Sequence, residues 1–300
     1  MAIFNKGKTM KQVILYVVTV LIWGSTWIAI KFQLGDVDPM VSVIYRFGLA
    51  ASILFVFCKV RKLTLKFSPQ EHFFMALLGI FLFSINYWLV YEAEVYLTSG
   101  LVAVLFSSLV FFNIANNALF RGVPVDSKTL VGAVAGIFGI CLIFMPEIRS
   151  FELGDQGTTG LILGVSSVML ASLGNITSAR NTQKKIPVVQ ANAFGMAYGT
   201  LALVLVALVL GKEFTFSFSV SYTSSLVFLS LFGSIVAFGT YLTLVGTMGA
   251  DKASYAIMVV PVVALVISTF AEGYTWTMPA VAGLVLVLGG NFMALSKRPG

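Results

Sequence analysis

The chain has 300 residues, of which 58% are hydrophobic and only 10% charged, with mean hydropathy +0.96 and a formal net charge of +7. Soluble domains carry roughly 25% charged residues, so a water-facing globular surface is excluded. With it goes the nucleic-acid-binding protein that a basic chain otherwise suggests.

Ten apolar segments follow one another, at about 12–31, 39–58, 72–92, 100–120, 127–146, 159–179, 188–210, 223–246, 253–271 and 278–296. Each approaches the ~20 residues that a bilayer-crossing helix needs at roughly 1.5 Å per residue. The basic start before the first segment imitates a signal peptide, but the apolar run is as long as a full span, so it is read as retained. The longest connection, Glu147 to Thr158, is too short to fold by itself. Cys58 and Cys141 lie in different segments near opposite faces and are read as small packing residues, with no disulfide implied.

The connections alternate in charge. One side of the proposed membrane carries 15 of the 19 basic residues, the other carries Lys31, Arg149 and Lys212, and Arg46 lies inside a segment. Basic residues are retained on the cytoplasmic side, which places both termini in the cytoplasm and agrees with an even number of spans.

The second five segments repeat the first five. At an offset of 151, Gly122 meets Gly273, Gly132 meets Gly283, Val134 meets Val285, Gly139 meets Gly290, and Phe81 meets Phe232 at the same spacing; Pro39 meets Pro187 at a shorter one. A repeat of five spans inserts its second copy upside down. The expected fold is therefore all-α and integral to the membrane, with ten transmembrane helices in two inverted five-helix repeats, residues 1–148 and 149–300, forming one membrane domain. Inverted repeats place a substrate site near mid-membrane at their interface and support alternating access.

Candidate residues follow from what hydrocarbon tolerates. Arg46 stands seven residues past Pro39, roughly 10 Å from the nearer membrane face, and a charge at that depth is functional by default. Glu92 and Glu94 close the third segment on the same side, so an Arg46–carboxylate pair or gate is expected. Trp23 and Trp27 share one face of the first segment, Tyr87 and Tyr91 one face of the third, and Tyr241 lies in the eighth. Tyr and Trp near the boundary anchor helices in the headgroup zone, which suits Trp27 and Tyr91; nearer the middle, aromatic walls suit a pocket for small molecules. Polar stripes containing Ser107, Ser108, Asn113, Asn116 and Asn117 in the fourth segment and Asn175 and Ser178 in the sixth must avoid lipid. They either bond helix to helix or line a wet cavity. Trp23, Trp27, Asn86, Tyr87, Tyr91, Ser108, Asn175 and Tyr241 are taken as substrate contacts. The pairs Gly132/Gly136, Gly160/Gly164 and Gly195/Gly199 are read as close helix packing, and Pro261 as a hinge that frees a backbone carbonyl.

Three stretches carry a family resemblance: Trp23-Gly24-Ser25-Thr26-Trp27, Arg46-Phe47 after Pro39, and Pro261 followed by Glu272-Gly273 and a Gly-rich last segment. Together they resemble the drug/metabolite transporter superfamily, in particular its ten-helix bacterial exporters with paired EamA-type domains. The first half carries Val110 and Arg121 where the second has Pro261 and Glu272. The resemblance implies export of small metabolites, often amino acids, across a bacterial inner membrane through a cavity lined by both repeats.

Absences narrow the cargo. No acid lies mid-membrane, as an organic-cation exporter would want, and Arg46 is the only buried cation, whereas phosphorylated sugars would want several. A neutral or zwitterionic substrate remains, amino acids including aromatic ones foremost, with other metabolites or drugs as the alternative. Glu92, Glu94, Glu272 and His72 are the candidates for proton coupling. The chain has no nucleotide-binding loop, metal-ligand cluster or catalytic triad, so neither enzyme activity nor a cofactor is expected. The polar residues are too scattered for a channel lining, which leaves a channel-like facilitator as the rival class. Cavity walls are expected from segments 1, 3, 4, 6, 8 and 9, and a monomer suffices for this design.

Overall fold

The computed structural model describes residues 6–97, 99–149, 151, 154–271 and 276–295, and its regular structure is helical. Helices α1 (Lys6–Lys31) and α2 (Pro39–Val60) are followed by α3 (Pro69–Leu78), a π-helical stretch (Gly79–Ser84) and α4 (Ile85–Tyr96) in one continuous run. The next apolar segment is broken at Ser108 into α5 (Ser99–Ser107) and α6 (Leu109–Arg121). Then come α7 (Ser127–Ile143), the short α8 (Met145–Arg149), α9 (Asp155–Gln183) and α10 (Val188–Val209). A second α–π–α run consists of α11 (Val220–Phe228), a π-helical stretch (Leu229–Val236) and α12 (Ala237–Met248), before α13 (Ala250–Ala253), α14 (Tyr255–Ala271) and α15 (Met278–Leu295).

Local chemistry sets many of these boundaries. Asp38 caps α2 by accepting from the Met40 amide, and Pro39 occupies the first turn, where its missing N–H costs nothing. Ser68 and Glu71 form a reciprocal capping box at the start of α3. Asp126 caps α7 and Ser219 caps α11. Gly122 ends α6 in the left-handed region at φ 63°, a conformation that glycine adopts without strain.

Among the described residues, eight helical runs are long and apolar enough to cross a membrane. In the fifth and tenth apolar segments, α7 and α15 are shorter apolar helices. At 17 residues, α7 is about 26 Å long, a little less than the ~30 Å hydrocarbon core.

These two short helices pack on each other most extensively, through the glycines that the sequence offset relates. A Cβ on Gly139 would lie 2.6 Å from the Gly283 carbonyl oxygen, one on Gly283 would collide with the Gly139 carbonyl, and one on Gly290 would lie 2.6 Å from that of Gly132. The helices therefore run antiparallel with backbones in contact, as small residues permit. A second close approach joins the first π-helical stretch to α10: a Cβ on Gly79 would collide with the Gly195 carbonyl, and one on Gly199 would lie 2.7 Å from that of Gly79. Gly160 and Gly164 of α9 likewise admit Leu97 and Leu105.

The apolar interior has two main parts. The larger is built on α1, α2, α4, α9, α10 and α12, and the smaller on α6, α7, α14 and α15. Buried polar bonds tie distant segments together. Gln33 donates to the Tyr222 carbonyl at 3.0 Å and to Ser225 at 2.6 Å. The Tyr16 hydroxyl donates to Asn291 Oδ1 at 2.6 Å. Cys58 and Cys141 are both free thiols.

Candidate functional site

A cavity of about 80 Å³ opens within the larger apolar cluster, several times the space that one water requires. Its walls are Trp23, Thr26 and Ile30 of α1; Leu82, Asn86, Tyr87 and Val90 from the first π-helical stretch and α4; Phe106 and Leu109 at the α5–α6 break; Ala171 and Asn175 of α9; Phe238 and Tyr241 of α12; and Ile257 and Val260 of α14. These elements are the segments numbered 1, 3, 4, 6, 8 and 9 in the sequence. Helical spacing puts the contributions of each element on one face: 23, 26 and 30; 86, 87 and 90; 171 and 175; 238 and 241.

The aromatic wall is interlocked. The Trp23 ring lies 5.0 Å from both Phe238 and Tyr241, and its indole N–H donates to the Gly233 carbonyl at 3.1 Å. That carbonyl belongs to the second π-helical stretch. Phe47, behind the wall, meets Tyr87 edge-on at 4.9 Å. Such edge-to-face contacts fix ring orientation as well as bury area.

The polar groups on the wall are few and uncharged. Asn175 donates to the Tyr241 hydroxyl at 2.9 Å and, more weakly, to Asn113 Oδ1 at 3.4 Å, while Asn175 Oδ1 is buried without a partner. Asn113 in turn donates to the Ala250 carbonyl at 3.1 Å. Asn86 spends a donor on the Ser167 carbonyl at 2.6 Å. Asn175 is thus the wall residue that retains an unused buried hydrogen-bonding position, which is costly unless a ligand or water meets it.

The remaining expected residues lie elsewhere. Tyr91 is wholly buried behind the cavity rather than on it, and its hydroxyl accepts from Arg46 at 3.4 Å. Ser108 marks the break between α5 and α6, with its hydroxyl turned to the Leu105 carbonyl. The Trp27 side chain, Glu272 and Gly273 lie outside what the structure describes. Pro261 is buried inside α14, and its missing N–H leaves the Ile257 carbonyl without an intrahelical donor, beside the cavity that Ile257 lines.

The expected pairing of Arg46 with Glu92 or Glu94 does not form. Arg46 is 1% exposed and donates from Nε to Ser234 at 3.0 Å, while the Tyr87 and Phe47 rings lie 4.7 and 5.2 Å from its guanidinium carbon. Its backbone carbonyl accepts from Ser230. Ser230 and Ser234 both belong to the second π-helical stretch, so Arg46 clamps α2 to that stretch and to α4. Glu92 accepts instead from the Trp88 indole at 2.9 Å, one turn away. Among the described residues, the ion pair within reach is Lys212–Asp38 at 2.7 Å, and that hydrogen bond holds the Lys212 ammonium above the usual lysine range. Among the described residues, no three His, Cys, Asp or Glu side chains are grouped to hold a metal ion.

Thr26, Ile30, Phe238 and Val260 line the cavity but are not among the expected substrate contacts, Thr26 entering only as part of the Trp23–Trp27 stretch. Two of them were detectable by extending a helical face, since Thr26 follows Trp23 by three residues and Phe238 precedes Tyr241 by three.

A solved crystal structure of a chain 14% identical shares this fold, with a TM-score of 0.78 over 95% of this chain and 96% of the other. Protein PagO of Salmonella typhimurium is 25% identical over 95% of this chain and 93% of its own length. The uncharacterized inner membrane transporter YedA of Escherichia coli K12 is 27% identical over 92% and 90%, and an uncharacterized transporter of Archaeoglobus fulgidus is 27% identical over 96% and 100%. The profile of the EamA-like transporter family matches residues 10–145 and again 158–296. With two such matches spanning nearly all of a multi-pass membrane chain, the protein is a member of the EamA-like transporter family.

Proposed function

We propose that this transporter exports small neutral or zwitterionic metabolites, amino acids first among them, by alternating access. The observation that carries the reading is the cavity: aromatic and aliphatic walls, a handful of amide and hydroxyl groups, and no charged side chain among its lining residues. A pocket of that make-up accepts an apolar body and orients it by a few polar contacts. It offers nothing to a phosphate, which would want several Lys or Arg. Aromatic cargo suits the Trp23, Tyr87 and Phe238 wall.

Alternating access is supported by the reciprocal glycine contact between α7 and α15, which is what two halves related by a twofold axis in the membrane plane produce. Two halves of opposite orientation, both termini in the cytoplasm and an inner-membrane location complete the reading, and the basic residues crowded on alternate connections support it.

The test is efflux from proteoliposomes loaded with a mixture of amino acids and read by mass spectrometry. Selective, saturable loss of certain amino acids, with counterflow on adding unlabelled substrate outside, is expected. No loss above protein-free vesicles from folded protein would overturn the amino-acid assignment. Linear flux with unitary currents would replace the carrier by a channel.

A further inference from the structure

Among the described residues, Glu94 carries a buried carboxyl group that has no part in the cavity lining. Both of its carboxyl oxygens are buried and neither has a hydrogen-bond partner. It is not one of the lining residues but stands one helical turn beyond Val90, the next position along the face of α4 that presents Asn86 and Val90 to the cavity. A carboxylate buried without hydrogen bonds is expensive. Two charged groups face it from neighbouring helices, Lys31 at the end of α1 and Arg46 on α2, and on its own helix Tyr91 is the titratable neighbour. Neither cation comes within ion-pair distance, since the pair formed is Lys212–Asp38. Helix α5 brings no titratable residue, α9 begins with Asp155, and Glu92 is engaged by Trp88.

A neutral carboxyl needs no counter-ion, whereas an ionised one needs a cation that enters and leaves with the cycle. We propose that Glu94 is an exchange site that binds either a proton or the primary ammonium group of the substrate, one at a time. This rests on the zwitterionic cargo proposed above. When the ammonium arrives, the carboxyl proton leaves to the water on the side where the cavity is open; when the ammonium departs, a proton returns. Cargo and proton then move in opposite directions, one for one.

Proteoliposomes holding neutral amino acids, or their N-acetyl forms, are given a pH gradient with the membrane potential clamped. The wild type should move the free amino acids to a ratio of about tenfold per pH unit, the value for one-for-one exchange, and should leave the N-acetyl forms behind. Glu94→Gln should abolish the response to the gradient. A wild type indifferent to the gradient, or a Glu94→Gln variant that keeps the response, overturns the proposal. If the wild type moves no amino acid, the cargo reading fails by itself, and Glu94 is judged by infrared difference spectra between about pH 5 and about pH 9. A protonated-carboxyl band that shifts in Glu94→Asp supports the site, and its absence from the wild type overturns it. Because the aspartate variant keeps the acid, this second measurement also decides the case in which Glu94→Gln does not fold.

Discussion

The Asn175 amide donates to the Tyr241 hydroxyl at 2.9 Å, joining α9 of one family match region to α12 further along the same region across the cavity wall. This bond holds the amide so that Oδ1 is left as the unused buried position. Tyr241→Phe removes the partner while keeping the ring against Trp23. A buried group left unpaired costs about 1–2 kcal/mol, a factor of roughly 5–30. The variant should therefore raise the substrate concentration for half-maximal efflux by that factor while folding normally by size-exclusion chromatography. An unchanged half-saturation would remove the Asn175–Tyr241 pair from the binding site.

Arg46 is a clamp between elements, so replacing it should be felt first in stability. Arg46→Lys keeps the charge but loses the planar fork that meets Ser234 and Tyr91 and stacks beside Tyr87. The expected loss is about 1–3 kcal/mol, seen as a lower unfolding temperature in detergent by tryptophan fluorescence. Wild-type unfolding combined with lost transport would instead give Arg46 a direct role with the substrate.

The α7–α15 contact has no room for side chains. Gly139→Ala drives a methyl group into the Gly283 carbonyl and should cost about 1–3 kcal/mol. Gly239→Ala is the matched control, because a Cβ there meets nothing within 4 Å. Thermal stability of the two variants side by side measures the difference. Equal stability would mean that the helices separate easily, contrary to the backbone contact described.

Pro261 has no N–H to donate to the Ile257 carbonyl, one turn back in α14, and Ile257 lines the cavity. Pro261→Ala restores the helical hydrogen bond and stiffens α14, so turnover should fall several-fold while half-saturation changes little. Initial efflux rates over a range of internal substrate concentrations separate the two quantities. Unchanged turnover would show that α14 moves as a rigid rod.

Much of this arrangement is legible before any coordinates. A charge inside an apolar segment must be buried, and Arg46 is. Polar amides spaced for one helical face must avoid lipid, and Asn113, Asn116, Asn117 and Asn175 are all buried. The glycine pairs mark close packing: backbone on backbone at Gly195/Gly199 and at Gly132, and a neighbour's side chain on the helix at Gly136, Gly160 and Gly164. Partner choice is another matter. The sequence offers Arg46 two carboxylates on the same side of the membrane, yet the guanidinium takes Ser234 and Tyr91 while Glu92 takes Trp88. Likewise Tyr91 shares a helical face with Tyr87, but only Tyr87 reaches the cavity.

Residue order alone carries the membrane class, the apolar segments, their charge alternation and the repeated glycine spacing. These depend on segment length, hydropathy and residue order, which hydrocarbon reads one helix at a time. The position of the cavity, the presence of Thr26 and Phe238 on its wall and the burial of both Glu94 carboxyl oxygens without a partner emerge from helix packing. Those facts depend on how helices rotate and cross. In an interior where lipid-facing and core-facing residues are equally apolar, packing between helices sets that rotation, and the pattern along any single helix does not.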